Sequence, residues 1–258
     1  MLGETVSTSV RDRVAVVTIE RPQHRNAVDQ PTAQALLLAF KSFDASDEAS
    51  VGILTGAGGA FCSGADLKAL AAGERRPVRP DGEFAPMGPT RLRLTKPVIA
   101  AIEGPAVAGG MELALWCDLR IAGRSAVFGI FNRRFGVPLV DLGTIRLPRI
   151  IGHGRALELI LTGRPVHAEE ALAIGLVNAV VEDGTTLEHA LTWARNISAF
   201  PQNALRNDRM SVIEQWDLGE AGAIENEIRH GLATIQSGET SLGSSRFATG
   251  VGRHGLFD

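Results

Sequence analysis

Short strands alternate with helices along most of this chain, and this alternation constrains its fold more than any other feature. Runs of β-branched and aliphatic residues predict strands: Val14–Ile19, Val51–Thr55, Pro97–Ile102, Leu119–Ala122 and Val177–Val181. The segments between them carry helical patterns: Thr32–Phe43, Met111–Cys117, Arg155–Leu161 and Ala168–Ile174. Asp29 and Pro31 precede the first of these and are typical of a helix start. Such alternation predicts an α/β fold.

The pattern changes near residue 185, beyond which helical segments follow one another with no strand between them: Leu187–Phe200, Leu205–Trp216 and Leu218–Ile235. Apolar side chains recur at helical spacing in the last segment and form one stripe: Ile224, Ile228, Leu232 and Ile235. We therefore expect an α/β core over residues 1–184 and a helical region over residues 185–258. Periodicity leaves open whether the stripe packs on another subunit or on the core of its own chain.

Two stretches are predicted to lack regular structure. Residues 73–90 are rich in proline, glycine and arginine and have no period, which favours a functional or mobile loop. Ser237–Asp258 is polar and rich in glycine, so we expect partial disorder there.

Composition restricts the classes of function. The chain has 258 residues, a formal net charge of −3 and a pI of about 6.1, so binding to nucleic acid through bulk positive charge is disfavoured. Its apolar runs are too short to predict a membrane span. The first residues lack the charged-then-apolar layout of a signal peptide, so we expect a cytoplasmic protein. Cys62 and Cys117 are too few for a disulfide framework.

Familiar cofactor and nucleophile motifs are missing from the sequence. There is no GxGxxG after a strand, no GxxxxGK[ST] phosphate loop, no GxSxG elbow and no HExxH pair. Nicotinamide, ATP and zinc chemistry are therefore disfavoured, and we expect neither a metal nor a redox cofactor. Cys62 has no histidine near it in the sequence, which favours a small buried thiol over a nucleophile.

Two glycine-rich turns carry the strongest chemical signal. Thr55–Lys68 and Lys96–Leu113 each run from a strand through glycines towards a helix. A helix start leaves backbone N–H groups unpaired at the positive end of the helix dipole. One N–H from each turn could bind a developing oxyanion. Two ordinary strand-to-helix turns would produce the same pattern.

These turns and their spacing resemble the crotonase superfamily, the enoyl-CoA hydratases, isomerases and their relatives. The motifs that carry the resemblance extend over Val14–Val181 and include Arg21-Pro22, FCSGADLK at 61–68, KPVIAAIEGPAVAGGMELAL at 96–115 and Leu147–Gly152. The resemblance implies a crotonase-like spiral of ββα turns. It also implies that residues 185–258 form a helical region that mediates a homotrimer or a dimer of trimers.

The resemblance assigns roles to individual residues. Ala65 and Gly109 match the positions whose N–H groups form the oxyanion hole for the thioester oxygen, and Glu112 matches the first catalytic glutamate. Five residues match positions that bind the coenzyme A part of the substrate: Arg25, Ala27, Asp66, Leu67 and Lys68. Without the resemblance, the helix dipole favours reading Glu112 as an ordinary acidic residue at a helix start.

The sequence departs from the hydratase pattern at one position. Asn132 stands where the second catalytic glutamate should fall, and Arg133 and Arg134 follow it. Hydration needs proton transfers that paired carboxylates share, so weak hydratase activity is expected. Asp141 lies where some relatives place a different catalytic aspartate, and it could equally cap a helix that starts near Leu142.

The sequence therefore predicts a hydratase- or isomerase-type enzyme that acts on an acyl-CoA thioester through an oxyanion-stabilised enolate. Coenzyme A enters as part of the substrate, and no nucleic acid or membrane partner is expected. One alternative is a hydrolase or another lyase that uses Asp141 on an unusual acyl-CoA. Another is a protein that binds acyl-CoA without turning it over.

Overall fold

A six-stranded sheet organises the first part of the protein, in a computed structural model that describes residues 5–74 and 78–252. In spatial order its strands are β1 (Val6–Arg11), β2 (Val14–Ile19), β3 (Val51–Gly56), β4 (Val98–Ile102), β6 (Leu119–Gly123) and β9 (Ala179–Val181). β1 pairs antiparallel with β2, and the later pairs are parallel. The predicted strands all belong to this sheet, and the α/β prediction is confirmed.

The sequence did not reveal four further strands. β1 lies at the sheet edge with only Val6 buried, so it lacks the apolar pattern of a buried strand. A small second sheet contains β5 (Pro105–Val107), β7 (Val127–Gly129) and β8 (Val166–His167). These strands have two or three residues each, which is too short for any periodicity to appear.

Helices connect the strands. Those that precede residue 200 are α1 (Gln30–Ala45), α2 (Leu67–Ala71), α3 (Gly109–Trp116), α4 (Gly143–Ile151), α5 (His153–Thr162), α6 (Ala168–Ala173) and α7 (Thr186–Ala199). Short 3₁₀ turns occur at Pro22–His24, Pro89–Arg91 and Phe131–Phe135. Asp29 caps α1 as predicted, since its Oδ1 accepts a hydrogen bond from the Thr32 N–H at 3.0 Å.

Both faces of the six-stranded sheet are covered, which explains why its parallel strands are mainly apolar. On one face, Leu36 and Phe40 of α1 belong to the same buried cluster as Leu54 of β3. On the other face, Ala190 and Ala194 of α7 belong to a cluster with side chains of β2, β3, β4 and β6.

The chain divides into two compact units that meet between Ile197 and Ser198. We predicted the division at residue 184. The helical region does begin there, since α7 starts at Thr186. The unit boundary falls later because α7 contributes Ala190 and Ala194 to the core of the first unit.

The second unit is helical and contains α8 (Gln202–Glu214), α9 (Glu220–Gln236) and α10 (Glu239–Ala248), with a 3₁₀ turn at Gln215–Asp217. The expected disorder over Ser237–Asp258 is wrong for Glu239–Ala248. Glu239 orders this segment because its carboxylate accepts hydrogen bonds from the Asn203 and Ala204 amides at the start of α8. Residues 253–258 lie outside the described residues.

The apolar stripe on α9 is half-exposed. Its four side chains, Ile224, Ile228, Leu232 and Ile235, are 49–58% exposed. Whether this stripe packs on another subunit or on the core of its own chain stays a prediction. Within the described residues, none of the helices combines the length and apolar character that a membrane crossing requires.

Candidate active site

Backbone hydrogen bonds hold the two glycine-rich turns side by side. The Cys62 N–H donates to Pro105 O at 3.0 Å, and the Val107 N–H donates to Cys62 O at 3.1 Å. The approach is so close that a Cβ on Gly64 would lie 2.9 Å from the Gly109 nitrogen. Gly64 also has a φ of +93°, so glycine is required there on both counts. The buried Cys62 thus serves the packing of the turns, in keeping with its predicted role.

Two residues from these turns, Ala65 and Gly109, line one cavity and have backbone amides without an acceptor in the described chain. Val28 donates to Gly64 O and accepts from the Asp66 N–H, both at 2.8 Å, and this parallel pattern turns the Ala65 N–H away from Val28. Gly109 is the first residue of α3, so its N–H has no helical acceptor. Neither amide has an acceptor among residues 5–74 and 78–252, and both residues line a cavity of about 390 Å³.

Ala108 holds an unusual backbone conformation directly before the Gly109 amide. Its φ of +52° and ψ of −125° are strained for a residue with a Cβ. The Ala108 N–H donates to Gly129 O at 2.8 Å, which ties it to β7. The small sheet therefore holds the strained residue that orients the Gly109 amide.

Glu112 lies in the first turn of α3 and lines the same cavity. Its side chain is almost fully buried, and its Oε1 accepts hydrogen bonds from the Asp141 N–H at 3.0 Å and the Gly143 N–H at 2.9 Å. Burial, followed by the negative charge of Asp141, raises the pKa of the Glu112 carboxyl to about 8. Glu112 is therefore protonated at neutral pH and able to donate a proton.

Asp141 is the second buried carboxylate in the cavity wall. Its Oδ1 accepts hydrogen bonds from the Met87 N–H at 2.9 Å and from the Thr90 hydroxyl at 2.6 Å. The alternative in which Asp141 caps a helix is wrong. α4 starts at Gly143 with Leu142 in the cap position, and no side chain caps it.

The same contacts explain part of the stretch 73–90 that was predicted to be an irregular loop. Met87 and Thr90 are buried and anchored to Asp141, while the 3₁₀ turn Pro89–Arg91 closes the stretch. Residues 75–77 lie outside the described part. No local pattern indicates this anchor, because the donors Met87 and Thr90 lie 54 and 51 residues from the acceptor Asp141 in the chain.

Arg146 lies next to the two carboxyl groups, and sequence reasoning missed it. Its guanidinium donates to Thr90 O at 2.6 Å and to Asp141 O at 3.3 Å. Burial lowers the pKa of Arg146 to about 10, so it remains charged at neutral pH. Its positive charge is opposite in sign to the negative charge of Asp141, and it lies near the Glu112 carboxyl group as well.

Asn132 also lines the cavity, in the 3₁₀ turn Phe131–Phe135. Its Nδ2 donates to Val137 O at 2.8 Å, while its buried Oδ1 has no hydrogen-bond partner in the described chain. The neighbouring arginines point elsewhere. Arg133 donates to Ile160 O, and the Arg134 guanidinium lies 4.2 Å from the centroid of the Phe131 ring. These arginines are engaged away from the Asn132 amide.

Of the five residues matched to coenzyme A binding, only Leu67 is among the residues that line the cavity. Leu67 lines the cavity, whereas Arg25 and Lys68 are exposed and lie outside its lining. Asp66 is buried, pairs with the Arg21 guanidinium at 3.0 Å and caps α2. Ala27 is buried, and its carbonyl also accepts a hydrogen bond from Arg21. Asp66 and Ala27 therefore shape the backbone of the turn.

The remaining cavity wall is mainly apolar. Its side chains come from α2 and from two later segments of the chain: Leu70, Val78, Pro86, Met87, Phe131, Phe135, Val137, Pro138 and Val140. Among residues 5–74 and 78–252, no three His, Cys, Asp or Glu side chains converge in a way that could hold a metal ion. The cavity thus combines a mainly apolar wall with two residues whose amides have no acceptor in the described chain and with two buried carboxyl groups, Glu112 and Asp141.

This arrangement belongs to a fold seen in solved structures. The crystal structure of enoyl-CoA hydratase EchA1 from Mycobacterium marinum superposes with a TM-score of 0.90, at 38% sequence identity over 96% of each chain. An enoyl-CoA hydratase from Mycobacterium tuberculosis H37Rv gives a TM-score of 0.89 at 37% identity, again over 96% of each chain. The fold is the crotonase fold that the sequence motifs predicted.

The chain belongs to the enoyl-CoA hydratase/isomerase family, whose sequence model matches residues 9–249. Enoyl-CoA hydratase EchA19 of Mycobacterium tuberculosis is 37% identical over 245 residues, which is 92% of this chain and 91% of that protein. Carnitinyl-CoA dehydratase of Salmonella arizonae is 35% identical over 260 residues, which is 96% of each. The protein is therefore an enzyme of the hydratase/isomerase type.

Proposed function

We propose that this enzyme adds water to, or removes it from, an acyl-CoA thioester through an enolate intermediate. The Ala65 and Gly109 amides would hold the thioester oxygen as negative charge develops on it. Glu112 would exchange the proton at the α-carbon, and Asp141 would act as the second carboxylate. The observation that carries this proposal is that all four groups line one cavity.

The raised pKa of Glu112 supports a division of labour between the two carboxyl groups. The negative charge of Asp141 helps to keep Glu112 protonated up to a pKa of about 8. Environments that separate two neighbouring carboxyl groups in this way are typical of acid–base pairs. Glu112 is then the acid in the hydration direction, and Asp141 carries the charge that orients or deprotonates water.

Asp141 is proposed in place of the glutamate that Asn132 replaces. An amide cannot accept a proton at neutral pH, so Asn132 can only position a group by hydrogen bonding. Hydrolysis or another lyase reaction that uses Asp141 is the second candidate. The similarity to a carnitinyl-CoA dehydratase favours dehydration and hydration over hydrolysis.

The apolar wall supports an uncharged acyl group as the substrate. Leu70, Phe131, Phe135 and Val140 offer contacts to methylene or aromatic groups, and a second charged group on the acyl chain would lose its hydration there. Coenzyme A itself is the carrier, and the exposed Arg25 and Lys68 are available to its phosphates. No metal or redox group is required by this chemistry.

A panel of acyl-CoA substrates tests the proposal. Crotonyl-CoA and longer trans-2-enoyl-CoA thioesters report hydration, 3-enoyl-CoA thioesters report isomerisation, and release of free coenzyme A reports hydrolysis. We expect reversible hydration of at least one apolar enoyl-CoA with no release of free coenzyme A. Binding of the whole panel without turnover would contradict the proposal and support a binding protein.

Restoring a carboxylate at position 132 should raise the rate of crotonyl-CoA hydration. General acid–base help from one group contributes about 10²–10⁴-fold, and we expect the gain from Asn132→Glu near or below the low end. The reason is that Glu loses the hydrogen bond to Val137 O and places its own oxygens near that carbonyl. Asn132→Gln is the matched control and should give no gain. An ordinary hydratase rate in the native enzyme would show that Asn132 is no handicap.

The exposed α9 stripe supports a homotrimer or a dimer of trimers. Four half-exposed aliphatic side chains on one helix face are costly to leave in water. Light scattering should therefore give about 82 kDa, three times the chain mass of 27.4 kDa, or twice that value. Ile228→Asp should shift the population towards smaller species, and the matched exchange of exposed Val10→Asp, outside α9, should not. A native species of 27 kDa would contradict this assembly.

A further inference from the structure

One oxygen of Glu112 is held by two amides that belong to the same short turn. Asp141 and Gly143 are the residues directly before and after Leu142, and their N–H groups donate to Oε1 at 3.0 and 2.9 Å. No donor in the described chain contacts Oε2, and Glu112 lines the cavity. The two oxygens of this carboxyl group are therefore in different environments.

Leu142 creates this convergence by adopting a left-handed conformation. Its φ of +69° and ψ of +17° are disfavoured for a leucine, and they turn the amides on either side towards one point. The α4 start holds it there, because the Ile145 and Arg146 N–H groups donate to Leu142 O at 3.1 and 2.9 Å. Strain of this kind accompanies functional geometry in many proteins.

The need for glycine at position 143 comes from the nearby Glu112 carboxyl group and not from the backbone conformation. Its φ does not lie in the left-handed region, so an alanine is allowed there by conformation. A Cβ on Gly143 would, however, lie 2.8 Å from Glu112 Oε1 and 2.9 Å from its Cγ. The position combines a donor with the absence of a side chain, and both are needed to seat Glu112.

We propose that the turn Asp141–Leu142–Gly143 is a positioning element that fixes Oε1 of Glu112 as an acceptor and leaves Oε2 as the oxygen that exchanges the proton with the substrate. This inference rests on the proposed function of Glu112. In the hydration direction the Oε2–H bond breaks and its electron pair stays on Oε2. The proton forms a C–H bond with the electron pair of the enolate carbon–carbon double bond, and the thioester carbonyl re-forms. The carboxylate left behind is stabilised by the two amides.

The test compares Gly143→Ala with Gly154→Ala. Gly154 lies near the start of α5, has no left-handed φ, and has open space where a Cβ would be added, so it is a matched control. The two hydrogen bonds from backbone amides favour the ionised form of Glu112, and losing them should move its pKa upward from about 8. We expect the corresponding inflection in the pH profile of kcat/KM to rise and kcat to fall by about 10–100-fold, with little change in KM.

Two further measurements keep the result interpretable. An infrared difference titration of each variant against the same variant with Glu112→Gln follows the carboxyl group without any turnover. Leu142→Val adds no atom near Glu112 but disfavours the left-handed turn, so it should also shift the Glu112 titration upward. This variant tests the inference even if Gly143→Ala fails to fold.

The outcomes separate this inference from the proposed function. Full activity of Glu112→Gln would overturn the role of Glu112 itself. An inactive Glu112→Gln with a native inflection, kcat and infrared titration in Gly143→Ala and Leu142→Val would overturn the positioning role alone. An equal shift in Gly154→Ala would also overturn it, because that effect could not come from contact with Oε1.

Discussion

Glu112→Gln is expected to lower kcat for acyl-CoA turnover by about 10²–10⁴-fold, the range that one positioned acid–base group supplies. Glutamine has the same shape, and its carbonyl oxygen can accept from the Asp141 and Gly143 amides as Oε1 does. The substitution thus removes the exchangeable proton with little change in geometry. Steady-state kinetics of hydration on the best substrate of the panel measures the effect.

Glu103→Gln is the matched control for this variant. Glu103 also accepts two backbone N–H bonds, from Gly184 at 3.0 Å and Thr186 at 3.2 Å, but it does not line the cavity. We expect native kinetics from it. If Glu112→Gln turned over at the native rate, Glu112 would have no acid–base role, and Asp141→Asn would be the next substitution to examine.

The same Glu112→Gln exchange should stabilise the fold at alkaline pH. The folded pKa of Glu112 is raised from its ordinary 4.5 to about 8, so the unfolded chain ionises first as the pH rises. The free energy of unfolding therefore falls between about pH 4.5 and 8, by several kcal/mol in total. Glutamine removes that loss. Thermal unfolding should show a higher Tm for the variant than for the native protein at pH 8, and almost no difference in Tm between them at pH 4.

Ala65→Pro is expected to lower kcat by about 10²–10³-fold, the usual cost of removing one oxyanion donor. Proline has no backbone N–H. The Ala65 N–H has no acceptor in the described chain, so its removal takes no hydrogen bond from the fold. The flanking bonds of Val28, to Gly64 O and from the Asp66 N–H, stay available to hold the turn.

Ala65→Gly is the comparison for this variant, because it removes the methyl group and keeps the N–H. We expect it to lose far less activity than Ala65→Pro. Circular dichroism and binding of free coenzyme A would show that both variants fold and keep the binding cleft. Native kcat in a folded Ala65→Pro enzyme would rule out the Ala65 amide as an oxyanion donor.

Much of the fold was open to prediction from local pattern. The parallel strands are buried on both faces, so they appear in the sequence as continuous apolar runs such as Val51–Thr55 and Pro97–Ile102. Four strands were missed, since β1 is exposed and β5, β7 and β8 have at most three residues. Glu239–Ala248 was mistaken for disorder because its order depends on a carboxylate contact with α8.

The sequence by itself determined the two glycine-rich turns and the position of Glu112 at a helix start, because each depends on residues that are neighbours in the chain. Tertiary structure alone decided what surrounds them. Three sets of contacts join segments that are 29 to 56 residues apart in the chain. The Asp141–Gly143 turn binds Glu112, Met87 and Thr90 donate to Asp141, and Arg146 donates to Thr90 O. Such contacts leave no periodicity or local motif, since burial and charge at a site are set by whatever the folded chain brings to it.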